Sequence, residues 1–329
     1  MVIVLGCFFT PYCDCTVLVG LAQGFMDQHL GRFSFETMVN FNRNWFDLSE
    51  QVARVVLPNL SMGNPEHNVR AIRTALSACL EEVAALREED VLKKELFSLA
   101  VVADIALDLH CDFQALMHMY THDRCWPEMK DLSVELQSHA QLLASISGGN
   151  CFDEACSTVW EILAKKFPAY PIPMACQSST VELRGQRDVS DELALTDARA
   201  LFRFLQGRGY ISPESTLGRL NQDSASASPP PLQLLNDATQ LTAVDTMVVS
   251  ESGIVVFKVA LGDKVVVGQL ICEIVNVEDI DAPRKQLFAR VDGIVFAMSS
   301  RQLCRPGQSI MKIAGKDVLA WRKGNLCAL

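Results

Sequence analysis

Three groups of residues in this chain have types and spacings that could do chemistry. His110 follows the apolar run AVVADIALDL, residues 100–109. If that run is a strand, His110 emerges at its C-terminal edge, where open α/β sheets place their sites. An imidazole there can ligate a metal or move a proton, although a lone His in such a place is more often a hydrogen-bonded core residue. His118 and His122 follow at i, i+4 spacing, one face of a helix if the segment is helical. Three imidazoles so close together weakly favour a metal site. The second group is Asn40-Phe41-Asn42-Arg43. Its amide dipoles and planar fork of donors suit a carboxylate, and its plainer reading is a turn with a solvated Arg. The third is Glu182, alternating with Val181 and Leu183 in a short apolar segment. Facing a pocket, it could act as general base and then acid; a half-exposed strand residue is the commoner case.

The elements that must position these residues follow from periodicity. Val69, Ile72, Ala75, Leu76, Cys79 and Leu80 fall at helical spacing within residues 66–99. Asn64-Pro65 is a natural start for them. The Val and Ile content of residues 100–109 predicts a buried, parallel strand. Helices are expected over 152–166 and 191–206, the latter ending at Gly207 or Gly209. A short strand is expected over 178–183. Strands interleaved with helices give an α/β domain over residues 18–220. The stretch NQDSASASPPPL, beginning at Asn221, cannot bury enough apolar surface to fold alone. It reads as a linker or exposed loop over 221–235.

After the linker the chain repeats itself. Glu251-Ser252-Gly253-Ile254-Val255 recurs as Val291-Asp292-Gly293-Ile294-Val295. Val267-Gly268-Gln269-Leu270-Ile271 recurs as Pro306-Gly307-Gln308-Ser309-Ile310. Two such units predict an all-β module over 236–329 with approximate twofold symmetry. This half resembles the biotinyl/lipoyl barrel-sandwich family. A carrier of that family would present a modified Lys at a hairpin tip, flanked by Met or Ala. The corresponding stretch NVEDIDAPRK, residues 276–285, has no Met-Lys pair, so the expectation is a structural module.

Composition narrows the partners. The 329 residues carry 39 acids and 29 Lys or Arg, a formal charge of −10. So acidic a surface repels phosphate backbones and anionic membranes, which argues against a nucleic-acid or membrane partner. Twelve cysteines without a CxxC pair read as reduced thiols and a cytoplasmic protein. Residues 1–25 lack a basic n-region and are interrupted by Pro11. A leader is the weaker reading of them, and no uninterrupted run reaches the ~18 apolar residues a membrane span needs.

The motifs NFNR at 40–43, DLHCDF at 108–113, FDEA at 152–155 and TVELRG at 180–185 occur in the order seen in the succinylglutamate desuccinylase/aspartoacylase family, which this chain resembles. Gly20-Leu21-Ala22-Gln23, Gly31-Arg32-Phe33 and the C-terminal β-module fit as well. The family belongs to the zinc carboxypeptidase clan. The resemblance implies a mixed sheet flanked by helices and hydrolysis of an N-acyl amide by zinc-activated water. It implies a small N-acyl amino acid or related carboxylate as substrate. By position, His110 corresponds to a zinc ligand and Glu182 to the general base. Asn42 and Arg43, with Asn40 beside them, correspond to the carboxylate-holding pair, and Arg32 to an aid to the oxyanion. A homo-oligomer is compatible with this reading. The family's other two zinc ligands are a His and a Glu in an H-x-x-E motif, and that motif is absent from this sequence. Residues 1–17 are atypical of the family. Two zinc ligands and opening strands of the sheet are therefore expected to be missing, and the chain reads as a shortened or catalytically inactive member acting as a binding protein, or as one that kept the reaction.

Overall fold

A computed structural model of the chain describes residues 3–7, 33, 34, 37–212, 232–324 and 326. Arg32, the 20–23 motif and most of the 221–235 linker lie outside the described residues. In chain order the elements are β1 (Ile3–Cys7), α1 (Ser49–Val56), α2 (Pro65–Glu81), α3 (Glu88–Ala100), β2 (Ile105–Asp112), β3 (Gln114–Ala115), β4 (His118–Thr121) and α4 (Trp126–Leu136). Next come β5 (Ala140–Leu143), α5 (Phe152–Lys166), β6 (Gln177–Gly185), α6 (Asp191–Gly207), β7 (Thr239–Gln240) and β8 (Val244–Val248). The remainder is all β: β9 (Gly253–Phe257), β10 (Lys264–Val265), β11 (Leu270–Val275), β12 (Lys285–Phe288), β13 (Gly293–Met298), β14 (Leu303–Cys304) and β15 (Ser309–Gly315). The mixed α/β class expected from the sequence is the one found. One sheet has six strands in the order β1-β2-β6-β4-β5-β7.

The chain divides into two compact units. The first comprises residues 1–110, 120–129 and 144–181, and the second residues 111–119, 130–143 and 182–329. In the first, β1 runs parallel to β2, with Ile3 opposite Ile105 and Cys7 opposite Leu109. Thus the segment atypical of the family supplies a strand. Its β-branched run Val2-Ile3-Val4 carries that propensity.

The helical pattern of residues 66–99 is two helices rather than one. α2 opens where Asn64 and Pro65 predict, with the Asn64 side chain accepting from the His67 amide at 2.9 Å. It buries Ile72, Leu76 and Leu80, a four-residue stripe. α3 is different. Its buried stripe is Glu89, Lys93, Phe97 and Ala100, so two charged side chains occupy positions that periodicity reserves for apolar ones. α5 is buried on several faces, with Phe152, Trp160 and Leu163 in the core. Trp45 packs on Phe152 with ring centroids 4.6 Å apart and on Phe97 at 6.1 Å.

The second unit contains two further sheets, one ordered β10-β13-β15-β8 with β3 paired to β13, the other β12-β11-β9-β14. Val255, Ile271 and Ile274 from one and Met247, Val295 and Ile313 from the other share a single apolar core. The sequence repeat is a structural repeat. Gly253 and Gly293 each open a strand where a neighbouring carbonyl presses in. A Cβ would strike the Val275 oxygen at Gly253 and the Ala314 oxygen at Gly293. Gly268 and Gly307 both have left-handed backbones, φ +82° and +84°. The following glutamines repeat one turn bond: Gln269 Oε1 accepts from the Val266 amide at 3.1 Å, and Gln308 Oε1 from the Arg305 amide at 3.3 Å.

Gly293→Ala therefore forces backbone apart in the module and should cost roughly 1–3 kcal/mol in urea unfolding. Gly63→Ala, where a Cβ meets nothing within 4 Å, should stay within about 0.5 kcal/mol of the parent.

Candidate functional site

Residues 40–45 form a tight turn in the first unit. Asn40 Oδ1 accepts from the Asn42 amide at 2.9 Å, and the Arg43 amide donates to the Asn40 carbonyl at 3.1 Å. Asn44 takes a left-handed φ of +56°. Its amide donates to Gly149 O at 2.8 Å, and the Trp45 amide to Asn150 O at 2.9 Å. The turn is thus sewn to the loop that leads into α5.

The centre of the site is the Asn42 side chain, 4% exposed. Its Oδ1 accepts from Trp45 Nε1 at 3.2 Å and from the Phe152 amide at 2.9 Å. Its Nδ2 donates to Asp108 Oδ2 at 3.0 Å and lies 3.2 Å from His110 Nε2. Asp108 and His110 are two apart in β2, so strand alternation places them on one face. His110 Nε2 is 2.7 Å from Asp108 Oδ2. That short contact makes Nε2 the donor and Nδ1 the ring's acceptor.

More charge surrounds this trio than the sequence suggests. Asp108 and Asp153 are both buried, and the Oδ1 of each has no hydrogen-bond partner among the described residues. Burial raises the Asp153 carboxyl above the ordinary range, with Asp108 adding to the rise and Cys151 and His110 opposing it. Glu154, beside it in the first turn of α5, is also raised by burial, although the Ser147 amide donates to it.

The predicted residues are therefore partly gathered. Asn40, Asn42, Arg43 and His110 meet or adjoin in the first unit. The Asn42 amide, expected to face a substrate carboxylate, is engaged by Trp45, Phe152 and Asp108. Arg43 is half-buried, its Nη1 donating to the Asn42 carbonyl at 2.6 Å. Glu182 lies on β6 in the second unit, half-buried. There it acts with Asp112 and Asp188 on the Cys111 thiol, which burial first of all pushes up to about 12.

The other two imidazoles correct the cluster reading. His118 begins a strand, so the helical i, i+4 face does not exist. Its Nδ1 donates to Leu116 O at 2.8 Å and its ring meets Phe296 edge-on at 4.9 Å. Burial drives it down to about 4. Burial alone would raise the nearby Asp112, but Lys312 at 2.8 Å, then His118, outweigh it and hold the carboxyl at about 2. His122 accepts from the Arg124 amide at 3.0 Å and lies 3.6 Å from Glu161. Among the described residues no group of three His, Cys, Asp or Glu side chains is arranged to hold a metal ion. His110 fits the role of one ligand, because a carboxylate on its far nitrogen is how ligating imidazoles are oriented. A catalytic zinc takes three protein ligands, so the described residues do not make a complete zinc site. Cys79, Cys111, Cys125, Cys151, Cys156, Cys176, Cys272 and Cys304 are free thiols.

Sequence reasoning passes over Asp108, Asp153 and Lys93. Asp108 is legible, since an acid two residues from a strand His must share its face.

Asn42→Ala leaves the Trp45 and Phe152 donors without their acceptor, while Asp108 keeps His110. It should cost roughly 2–6 kcal/mol in denaturant unfolding, at about 1–3 for each of the two orphaned donors. His118 is held below its ordinary 6.5 at about 4. The unfolded chain therefore takes up this proton first, and stability falls as pH drops from 6.5 towards 4. Thermal melts should show that slope, and His118→Gln should flatten it.

No family model and no curated protein matches the sequence. Solved structures do. A succinylglutamate desuccinylase/aspartoacylase family protein from Shewanella amazonensis superimposes with a TM-score of 0.73 at 20% identity, over 90% of this chain and 78% of its own. A structure from Shewanella frigidimarina assigned to the same group gives 0.70 at 19%, over 87% and 74%. The apo form of the ectoine utilization protein EutE from Ruegeria pomeroyi gives 0.53 at 14%, over 96% and 86%. This chain has the fold of the succinylglutamate desuccinylase/aspartoacylase proteins.

Proposed function

We propose that the chain is a divergent member of the succinylglutamate desuccinylase/aspartoacylase family that hydrolyses the amide bond of a small N-acyl amino acid or related carboxylate. The observation that carries this reading is the buried Asn42–Asp108–His110 cluster. A structural core would fill that space with apolar side chains; here Asp108, itself held by Asn42, takes the Nε2 proton of the imidazole and so sets its tautomer. The fold likeness, over most of the chain, supports the same family.

In this reading His110 is the one metal ligand among the described residues, offering Nδ1. When bound, zinc would supply an activated water. The described residues hold only that one ligand, so what they do by themselves is narrower. Asn42 fixes Asp108, and Asp108 fixes His110. Asn40 shapes the turn that carries Arg43. Arg43 receives the substrate carboxylate through its planar fork. Glu182 serves as proton acceptor and then donor.

A second reading is favoured by one observation, the lack of a three-ligand group among the described residues. In it the protein binds the same carboxylates without cleaving them.

The experiment combines metal analysis with a panel of N-acetyl and N-succinyl amino acids. The hydrolase reading expects stoichiometric zinc, release of the free amine, loss of turnover on chelation, and a drop of about 10²-fold or more in kcat/KM for Glu182→Gln. Metal-free protein that binds the panel but releases no amine establishes the second reading. Neither binding nor turnover overturns both.

A further inference from the structure

The buried charges on α3 have no part in the reading above, and they meet the candidate site at its turn. Lys93 is 2% exposed and Glu89 is 4% exposed. Spaced i, i+4, they lie on the same face of α3. Lys93 Nζ donates to the Arg43 carbonyl at 2.8 Å, and Glu89 Oε1 accepts from Thr37 Oγ1 at 2.8 Å. The helix therefore grips residues 37–43 at both ends, with a cation on one and an anion on the other.

Taking an ammonium out of water costs several kcal/mol unless its partners offset the loss. Burial pulls Lys93 below its ordinary range, while Asp90 and Glu89 pull it back. A neutral donor would hold a loop at a smaller desolvation cost. The cation instead goes to one carbonyl, that of the residue proposed to meet the substrate.

We infer that Lys93 is a positioning residue for Arg43: by fixing the Arg43 carbonyl it sets where the guanidinium stands, and so the affinity for a carboxylate-bearing ligand. The inference rests on the proposed reading of Arg43 as the carboxylate receiver. With Nη1 turned back on the Asn42 carbonyl at 2.6 Å and the Arg43 carbonyl held by Lys93, the main chain of Arg43 is fixed on both sides of its side chain. Misplacing a binding group by about 1 Å loses one to two orders of magnitude. Lys93→Met keeps most of the length and the apolar stem and removes the ammonium, both donor and charge.

The test measures calorimetric affinity for a panel of N-acetyl amino acids and for their carboxamides, which lack the charge. Wild type, Lys93→Met, Glu89→Gln and Arg43→Ala are compared, with thermal melts to certify folding. The expected result is an affinity loss of about tenfold for the acids in Lys93→Met, with the carboxamides unchanged. Glu89→Gln retains an acceptor for Thr37 and should bind as wild type does. Equal losses for acids and carboxamides in Lys93→Met would show a general structural role and overturn the inference. If Arg43→Ala loses the acids while Lys93→Met keeps them, the inference fails and the reading of Arg43 stands. If Arg43→Ala binds as well as wild type, that reading fails and takes the inference with it. Lys93→Leu, which also removes the donor, carries the same comparison if Lys93→Met does not fold.

Discussion

The first unit is organised around one hydrogen-bond cluster, in which Asn42 joins the turn at 40–45, strand β2 and the start of α5. The side-chain amide accepts from Trp45 and Phe152 through Oδ1 and donates to Asp108 through Nδ2, with His110 Nε2 3.2 Å away and committed to Asp108. Satisfied polar networks in a low-dielectric core specify one arrangement, because any shift leaves a group unpaired. The apolar packing around it is less particular. Trp45 against Phe152 could tolerate small slips; the amide cannot.

The cluster also explains why so many charges lie inside. Asp108, Asp153, Glu154, Glu89 and Lys93 are all buried in the first unit. Native cores avoid such groups unless they are paired or functional. Two carboxylate oxygens there remain without hydrogen-bond partners among the described residues. Core stability is better served by apolar side chains of the same volume, and this concentration is what supports the functional reading proposed above. The second unit is built the opposite way. Its core is aliphatic, and its specificity lies in backbone, through paired glycines at 253 and 293, at 268 and 307, and the glutamines that follow the latter pair.

Several elements are legible in the residues alone. The Asn64-Pro65 start of α2, the range of α5 and the glycine repeat follow from local rules of capping, periodicity and turn geometry, and the fold has them. The break within residues 66–99 is not legible, because the turn between α2 and α3 contains no Pro or Gly to mark it. Strand β1 is hidden because five residues of propensity carry little weight without their partner, and the partner is β2, a hundred residues away. His118 and His122 group by spacing alone, and spacing has meaning only once the element is known to be a helix or a strand.

The sequence by itself determined which residue types were available: an imidazole at the end of an apolar run, amides and a guanidinium in one turn, a net negative charge, and a twofold repeat. These are local properties, fixed by neighbours within a few positions. Tertiary structure decided what each group faces. It gave Asn42 to Asp108 across 66 positions and to the Phe152 amide across 110. It also turned the charged positions of α3 inward. Hydrogen-bond saturation and burial depend on atoms brought together by the whole chain, and no window of sequence contains them.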